Sequence, residues 1–254
     1  MNGFLSFRDA VSFLTILPGA CPLVDPQPEV RMGRAMAWFP LVGALVGGAG
    51  GGVVFLTAGL FPASASASVS AILGLAAMVI LTGGLHLDGF SDTVDGFGAT
   101  AGGKEKALEV MHDSRIGAFG AIGLFLLLGL KWSLIQAVPS HRWIGSLAAA
   151  CALSRWGMVL SAQSFPYVRG KQGLGRLVTD RRSPESVTMA TAMTLGIVLA
   201  AAGLGKGLLL VALGAAAVWL FNSLCMKRLG GITGDTLGAV NEVVEALALL
   251  CLVI

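Results

Sequence analysis

Residues 35–60 read AMAWFPLVGALVGGAGGGVVFLTAGL, twenty-six positions without a charged side chain. About 20 mostly apolar residues suffice for a helix to cross the hydrocarbon core of a bilayer, so this stretch predicts a spanning helix. Its Gly43, Gly47, Gly48, Gly51 and Gly52 add overlapping small-xxx-small spacings that let helices approach closely in lipid. Further apolar runs follow at 66–87, 118–138, 144–163, 187–203, 207–224 and 236–254, giving seven expected spans. The composition of the whole chain agrees. Only 12% of its 254 residues are charged, about half the ~25% usual in soluble domains. Hydrophobic residues make up 55%, and mean hydropathy is +0.82. Seventeen Lys and Arg with fourteen Asp and Glu could not cover a water-exposed surface of this size. The expected fold is an all-α, polytopic membrane bundle forming one domain over residues 1–254. A soluble enzyme, a disordered tail and a secreted disulfide scaffold are excluded.

Outward from the spans, the basic residues give sidedness. With seven crossings, one face receives the N-terminal segment 1–34 and the loops 88–117, 164–186 and 225–235. That face carries thirteen Lys and Arg, against Arg142 and Lys206 on the other, while Lys131 and Arg155 lie within spans. By the positive-inside rule the N-terminus and these loops are expected to be cytoplasmic. Residues 3–16 carry a short amphipathic pattern and are read as an interfacial helix. They lack the basic start of a cleavable signal. Cys21, Cys151, Cys225 and Cys251 are widely spaced, which argues against a zinc site and a disulfide framework.

The acids cluster where the apolar runs end. Asp88, Asp92 and Asp95 follow the second run, Asp113 lies in MHDSRIGAFG, and Asp235, Glu242 and Glu245 enter the last run. Positions i, i+4 and i+7 share one face of a helix, so Asp88, Asp92 and Asp95 would line one side. Three carboxylates together repel, and a divalent cation removes that cost. Oxygen ligands without Cys or His favour Mg²⁺, which keeps positions for water and substrate phosphates. Asp88, Asp92, Asp95 and Asp113 are therefore the expected metal ligands. Asp88, Asp92, Asp235 and Glu242 are the expected catalytic acids. Arg115 is weighed as a phosphate clamp against an ion pair with Asp113. Arg169, Lys171 and Arg176 bracket Gly173 and Gly175 in a loop suited to an anion, although sidedness alone also accounts for its cations. His86 and His112 are weighed for proton transfer. GATAGGK (98–104) fails as a P-loop because Glu105 replaces the required Ser or Thr.

Several of these motifs resemble the cobalamin synthase family, the adenosylcobinamide-GDP ribazoletransferases. They are GGLHLDGFSDTVDG (83–96), MHDSRIGAFG (111–120), the GLG loop (173–175) and GGITGDTLGAVNE (230–242), with FLTILP (13–18) and WFPLVGALVG (38–47). One departure is Ile16, where the family pattern usually has Arg. The resemblance implies a Mg²⁺-dependent enzyme of the bacterial inner membrane. It would join adenosylcobinamide-GDP to α-ribazole or its 5′-phosphate and release GMP, with the ribazole 5′-oxygen attacking the phosphorus attached to cobinamide. The expected partners are those two substrates and membrane lipid, with a homo-oligomer left open and no nucleic acid. Two other readings compete with this one. A CDP-alcohol phosphotransferase also sets Asp-rich Mg²⁺ motifs at a membrane face, but its Ala-Arg pair is missing after Asp88-Gly89. A divalent-cation or metabolite transporter would place its acids nearer mid-membrane.

Overall fold

The computed structural model describes residues 3–18, 28–168, 173, 175–180 and 183–254. Arg169 and Lys171 of the expected anion loop lie outside the described residues. The helices are α1 Gly3–Leu14, α2 Pro28–Ala35, α3 Phe39–Thr57, α4 Ala63–Thr82, α5 Leu85–Gly98 and α6 Lys104–Val110. They continue as α7 Ala118–Ala137, α8 Trp143–Ser164, α9 Arg176–Thr179, α10 Pro184–Ala202, α11 Leu204–Leu229 and α12 Gly234–Val253. Among the described residues, seven helices are long and apolar enough to cross a membrane, the first being α2 and α3 taken together as Pro28–Thr57. The protein is a multi-pass membrane protein, as its composition requires.

Two boundaries differ from the sequence reading, each for a local reason. The first span begins earlier than residue 35 because α2 runs into α3 through a tight turn at Met36–Trp38. Pro40 has no N–H to donate back to Met36, and the Phe39 N–H bonds the Met36 carbonyl instead, giving 3₁₀ geometry. The second span ends at Thr82 rather than 87. Gly83 and Gly84 both occupy the left-handed region (φ +61° and +71°), and their N–H groups close back on Ile80 and Val79. That is a glycine helix stop. The helix that follows, α5, is about 21 Å long at 1.5 Å per residue and carries Asp88, Asp92 and Asp95.

Helices α8 and α12 form the centre, buried along most of their length. The glycines of α3 explain how it reaches α8. A Cβ on Gly43 would lie 2.3 Å from the Cys151 carbonyl oxygen, and on Gly47 2.1 Å from that of Leu147. On Gly51 it would lie 2.6 Å from Ile144 Cα. Backbone meets backbone along this four-residue seam, so contact in lipid comes from dispersion between close surfaces. Gly48 and Gly52 face open space and take no part in it. Helix α1 docks on the bundle, burying Ala10 and Leu14, with Phe13 stacked on Phe39. Buried Asp9 receives a two-pronged ion pair from Arg31 at 2.6 Å on each arm. The interfacial helix read over residues 3–16 is therefore also fastened to α2. Large apolar side chains on the outer faces, such as Phe125 and Leu126 of α7 and Leu220 of α11, are exposed as a lipid-facing surface requires.

Candidate active site

The crossing of α5 with the start of α12 organises the site. A Cβ on Gly89 would sit 2.7 Å from the Asp235 carbonyl oxygen, and on Gly238 3.1 Å from that of His86. These two glycines therefore let the acid-bearing helix lie directly on the turn that carries Asp235. The turn is set by a capping box. Thr233 Oγ1 accepts from the Thr236 N–H at 3.1 Å, and Thr236 Oγ1 accepts from the Thr233 N–H at 2.8 Å. The Thr233 hydroxyl also reaches Asp235 Oδ2 at 3.3 Å. A carboxylate in the first turn is favoured by the helix dipole. Just before the turn, the Ile232 N–H bonds the Pro166 carbonyl and the Val168 N–H bonds that of Ile232, both at 2.9 Å, which pins Tyr167 beside α12.

Two cavities open at this crossing. The larger, about 620 Å³, is lined by Asp88, Ser91 and Asp92 of α5 together with Phe13, Ile16, Ser114 and Ile116. The smaller, about 260 Å³, is lined by Phe13, His86, Asp88, Met158, Tyr167, Gly173, Gly175 and Asp235. Asp88 belongs to both. Among the described residues no donor reaches its exposed carboxylate. Gly173 sits at φ +85°, and a Cβ on Gly175 would press 2.8 Å from Gly234 Cα. The glycine loop thus lies against the α12 turn. His86 is 2% exposed, and neither ring nitrogen has a hydrogen-bond partner among the described residues. Burial pushes its imidazole well below the usual value. Arg155 adds to that, Glu245 opposes it, and Lys131 adds a smaller push downward.

Several expected site residues turn out to be engaged elsewhere. Asp95 shares the helix with Asp88 and Asp92, but its oxygens accept the Gly117 and Gly120 N–H groups, each at 2.8 Å. It caps the start of α7. A Cβ on either glycine would come within 2.3 Å of those oxygens, so the glycines of RIGAFG are there to admit it. The expectation that Asp95 holds a metal is corrected accordingly. Asp113 is corrected too. It lines neither cavity and forms the ion pair with Arg115, at 2.6 Å from Nη2. Arg115 holds the Asp113 carboxyl down to about 2, chiefly by side-chain hydrogen bonds. The alternative weighed for Arg115 thus describes it better than the phosphate clamp. Arg176 pairs with Asp180 and Glu29, both at 2.6 Å.

Glu242 lies about 10 Å further along α12 than Asp235 at 1.5 Å per residue. It is buried inside the bundle, where Lys131 Nζ bonds it and also reaches Glu245 Oε1 at 2.8 Å. Arg155 Nη1 donates to the other Glu245 oxygen at 2.6 Å. Glu242 opens onto neither cavity, so its expected catalytic role is corrected to an ion pair. Lys131 and Arg155 were placed within spans by the sequence but given no role. Two cations facing two acids in the spans was the signal for their pairing.

Among the described residues no three carboxylate, imidazole or thiol groups gather closely enough to form a metal site. Asp88 and Asp92, one helical turn apart on one cavity wall, remain. Such a pair suits Mg²⁺ completed by water and phosphate, the commoner arrangement for that ion.

Known proteins resemble the chain along almost its full length. The sequence profile of the cobalamin-5-phosphate synthase family matches residues 6–253. The adenosylcobinamide-GDP ribazoletransferase of Roseiflexus sp. (strain RS-1) is 36% identical over 97% of this chain and 88% of its own. The protein of that name from Desulforamulus reducens is 36% identical, covering 95% and 93%. The one from Klebsiella pneumoniae (strain 342) is 38% identical, covering 97% and 98%. No solved structure matches.

Proposed function

The chain belongs to the cobalamin-5-phosphate synthase family, and we propose that it runs that family's transfer at the wall shared by its two cavities. The activity is that of its named relatives, a ribazoletransferase acting on adenosylcobinamide-GDP. The acceptor is α-ribazole or its 5′-phosphate. The observation that carries the siting is Asp88, which lines both cavities, with Asp92 beside it in one and Asp235 in the other.

One correction to the expected chemistry follows from the family description. A product that keeps a 5-phosphate has its 5′-oxygen already esterified, so another ribose hydroxyl must attack. That oxygen bonds to the phosphorus bearing cobinamide, the bridge to the second phosphate breaks, and GMP leaves. The hydroxyl proton passes to Asp235, a carboxylate held at a helix start by its capping turn. Asp88 and Asp92 would hold Mg²⁺, which would supply charge neutralisation on the diphosphate. Catalysis of this kind is mostly positioning and charge compensation. The Gly89–Gly238 crossing supplies the positioning by fixing α5 against the α12 turn. Apolar Phe13, on both cavity walls, limits water at the junction.

The uneven Lys and Arg count supports a cytoplasmic N-terminus and cavities opening to the cytoplasm of the inner membrane. GMP release from adenosylcobinamide-GDP by the detergent-purified protein, with α-ribazole and Mg²⁺, tests the reading. A transporter would release none, and a lipid phosphotransferase would require a CDP-linked donor.

A further inference from the structure

The two cavities differ in size and lining, and the reaction has two substrates of unlike chemistry. The smaller, about 260 Å³, falls just below the ~300–1,000 Å³ range of ligand sites. That suits a nucleoside and is too small for a corrinoid diphosphate. Its walls include Phe13, Tyr167 and Met158, flat or pliable apolar surfaces suited to a fused aromatic base. Asp88 and Asp235 are the charged groups among its described lining residues. The larger cavity presents Asp88 and Asp92 with Ser91 and Ser114, a polar wall that matches a cation-bridged diphosphate.

His86 adds an independent observation. It lines the smaller cavity, is 2% exposed, and both ring nitrogens lack a partner among the described residues. Buried polar groups in folded proteins are nearly always hydrogen-bonded. Here the missing partner is one a ligand can supply, because His86 is among the residues that line the smaller cavity.

We propose that the smaller cavity is the acceptor subsite and that His86 positions the acceptor nucleoside by hydrogen bonding. The aromatic base lies between Phe13 and Tyr167, and the reacting hydroxyl is directed toward Asp235 and Asp88. The donor's diphosphate occupies the larger cavity, and the two substrates meet across Asp88. This assignment rests on the transferase reading above, and His86 acts in it as a positioning residue.

The test is steady-state GMP release with each substrate varied in turn. His86→Phe keeps an aromatic ring without its nitrogens. It should raise the KM for α-ribazole about tenfold, the loss expected of one hydrogen bond to a buried group. The KM for adenosylcobinamide-GDP should stay within about twofold, and His86→Gln, which restores a donor and an acceptor, should recover most of the loss. Met158→Trp, which fills the smaller cavity, should raise the α-ribazole KM alone. Leu124 lines the larger one, and Leu124→Trp, which fills it, should raise the donor KM alone. If His86→Phe does not fold, the two tryptophan variants decide. Equal changes in both KM values, a donor-only change at His86 or Met158, or no change overturns the assignment. Absence of GMP release by the unmodified protein overturns the transferase reading instead.

Discussion

The bundle holds two sets of acids that the sequence places side by side and the structure treats in opposite ways. Glu242 and Glu245 lie in the packed interior, matched by Lys131 and Arg155 from two other helices. Asp88 and Asp235 lie in the first turns of α5 and α12, Asp92 lies one turn further along α5, and all three line open volume. In the interior set, two positive and two negative charges cancel, and little room remains for a ligand. The boundary set has no matching cluster of cations on its cavity walls among the described residues. An acid inside a membrane protein is thus a poor guide to chemistry until its counter-charge is located. Interior acids here hold helices together, and boundary acids line cavities.

That contrast can be broken or sharpened by substitution. Lys131→Met leaves two buried glutamates with Arg155 alone, and removing one partner of such a pair costs about 3–5 kcal/mol. Thermal unfolding in detergent should show that loss, and Lys131→Met with Glu242→Gln should recover most of it. Unchanged stability in the single variant would dissolve the distinction between the two sets. Asp88→Ala should do the reverse. The fold should be as stable as before, while kcat for GMP release falls about a hundred- to a thousandfold, the scale on which one charge-stabilising group acts.

Asp95→Ala sharpens the line within α5 itself. It removes a helix cap, so it should cost about 1 kcal/mol and leave GMP release largely intact. Loss of turnover in a stably folded variant would return Asp95 to the reacting acids. The smallest effect belongs to Asp113. Arg115 depresses its carboxyl in the folded protein to about 2, below the ~3.9 of an unperturbed Asp. The pair's contribution is therefore complete above pH ~4 and disappears as pH falls through about 2. A small stability difference between the protein and Asp113→Asn should be flat from neutral pH to near 4 and close below it. Solvent around the pair, with the Arg115 side chain 86% exposed and that of Asp113 38%, keeps that difference slight.

Much of the fold was legible because the bilayer imposes a strong rule on length and polarity. Runs such as 118–138 and 144–163 match α7 and α8 within a residue or so. The boundaries that moved depended on single residues, Pro40 at one and the pair Gly83-Gly84 at the other. The candidate site was legible as a neighbourhood, since Asp88, Asp92 and Asp235 lie around one crossing. It was not legible residue by residue. Helical spacing puts Asp95 on the same face as Asp88, but it carries no information about the α7 N–H groups waiting for one of them. Glu242 was misread because charge pairing between α7, α8 and α12 is a tertiary fact. His86 was named without rank, since only burial and an adjoining cavity separate it from His112, which is exposed and lines neither cavity.

The glycine seam between α3 and α8 also sets an order of events during synthesis. Gly47 and its contact at Leu147 are roughly a hundred residues apart, about 5–20 s of translation at ~5–20 residues per second. For that interval the newborn α3 offers a bare, grooved flank to the lipid with its mate not yet made. The central closure of the bundle therefore waits for the fourth crossing to leave the ribosome, and until then the early helices must be held by one another or by the insertion machinery.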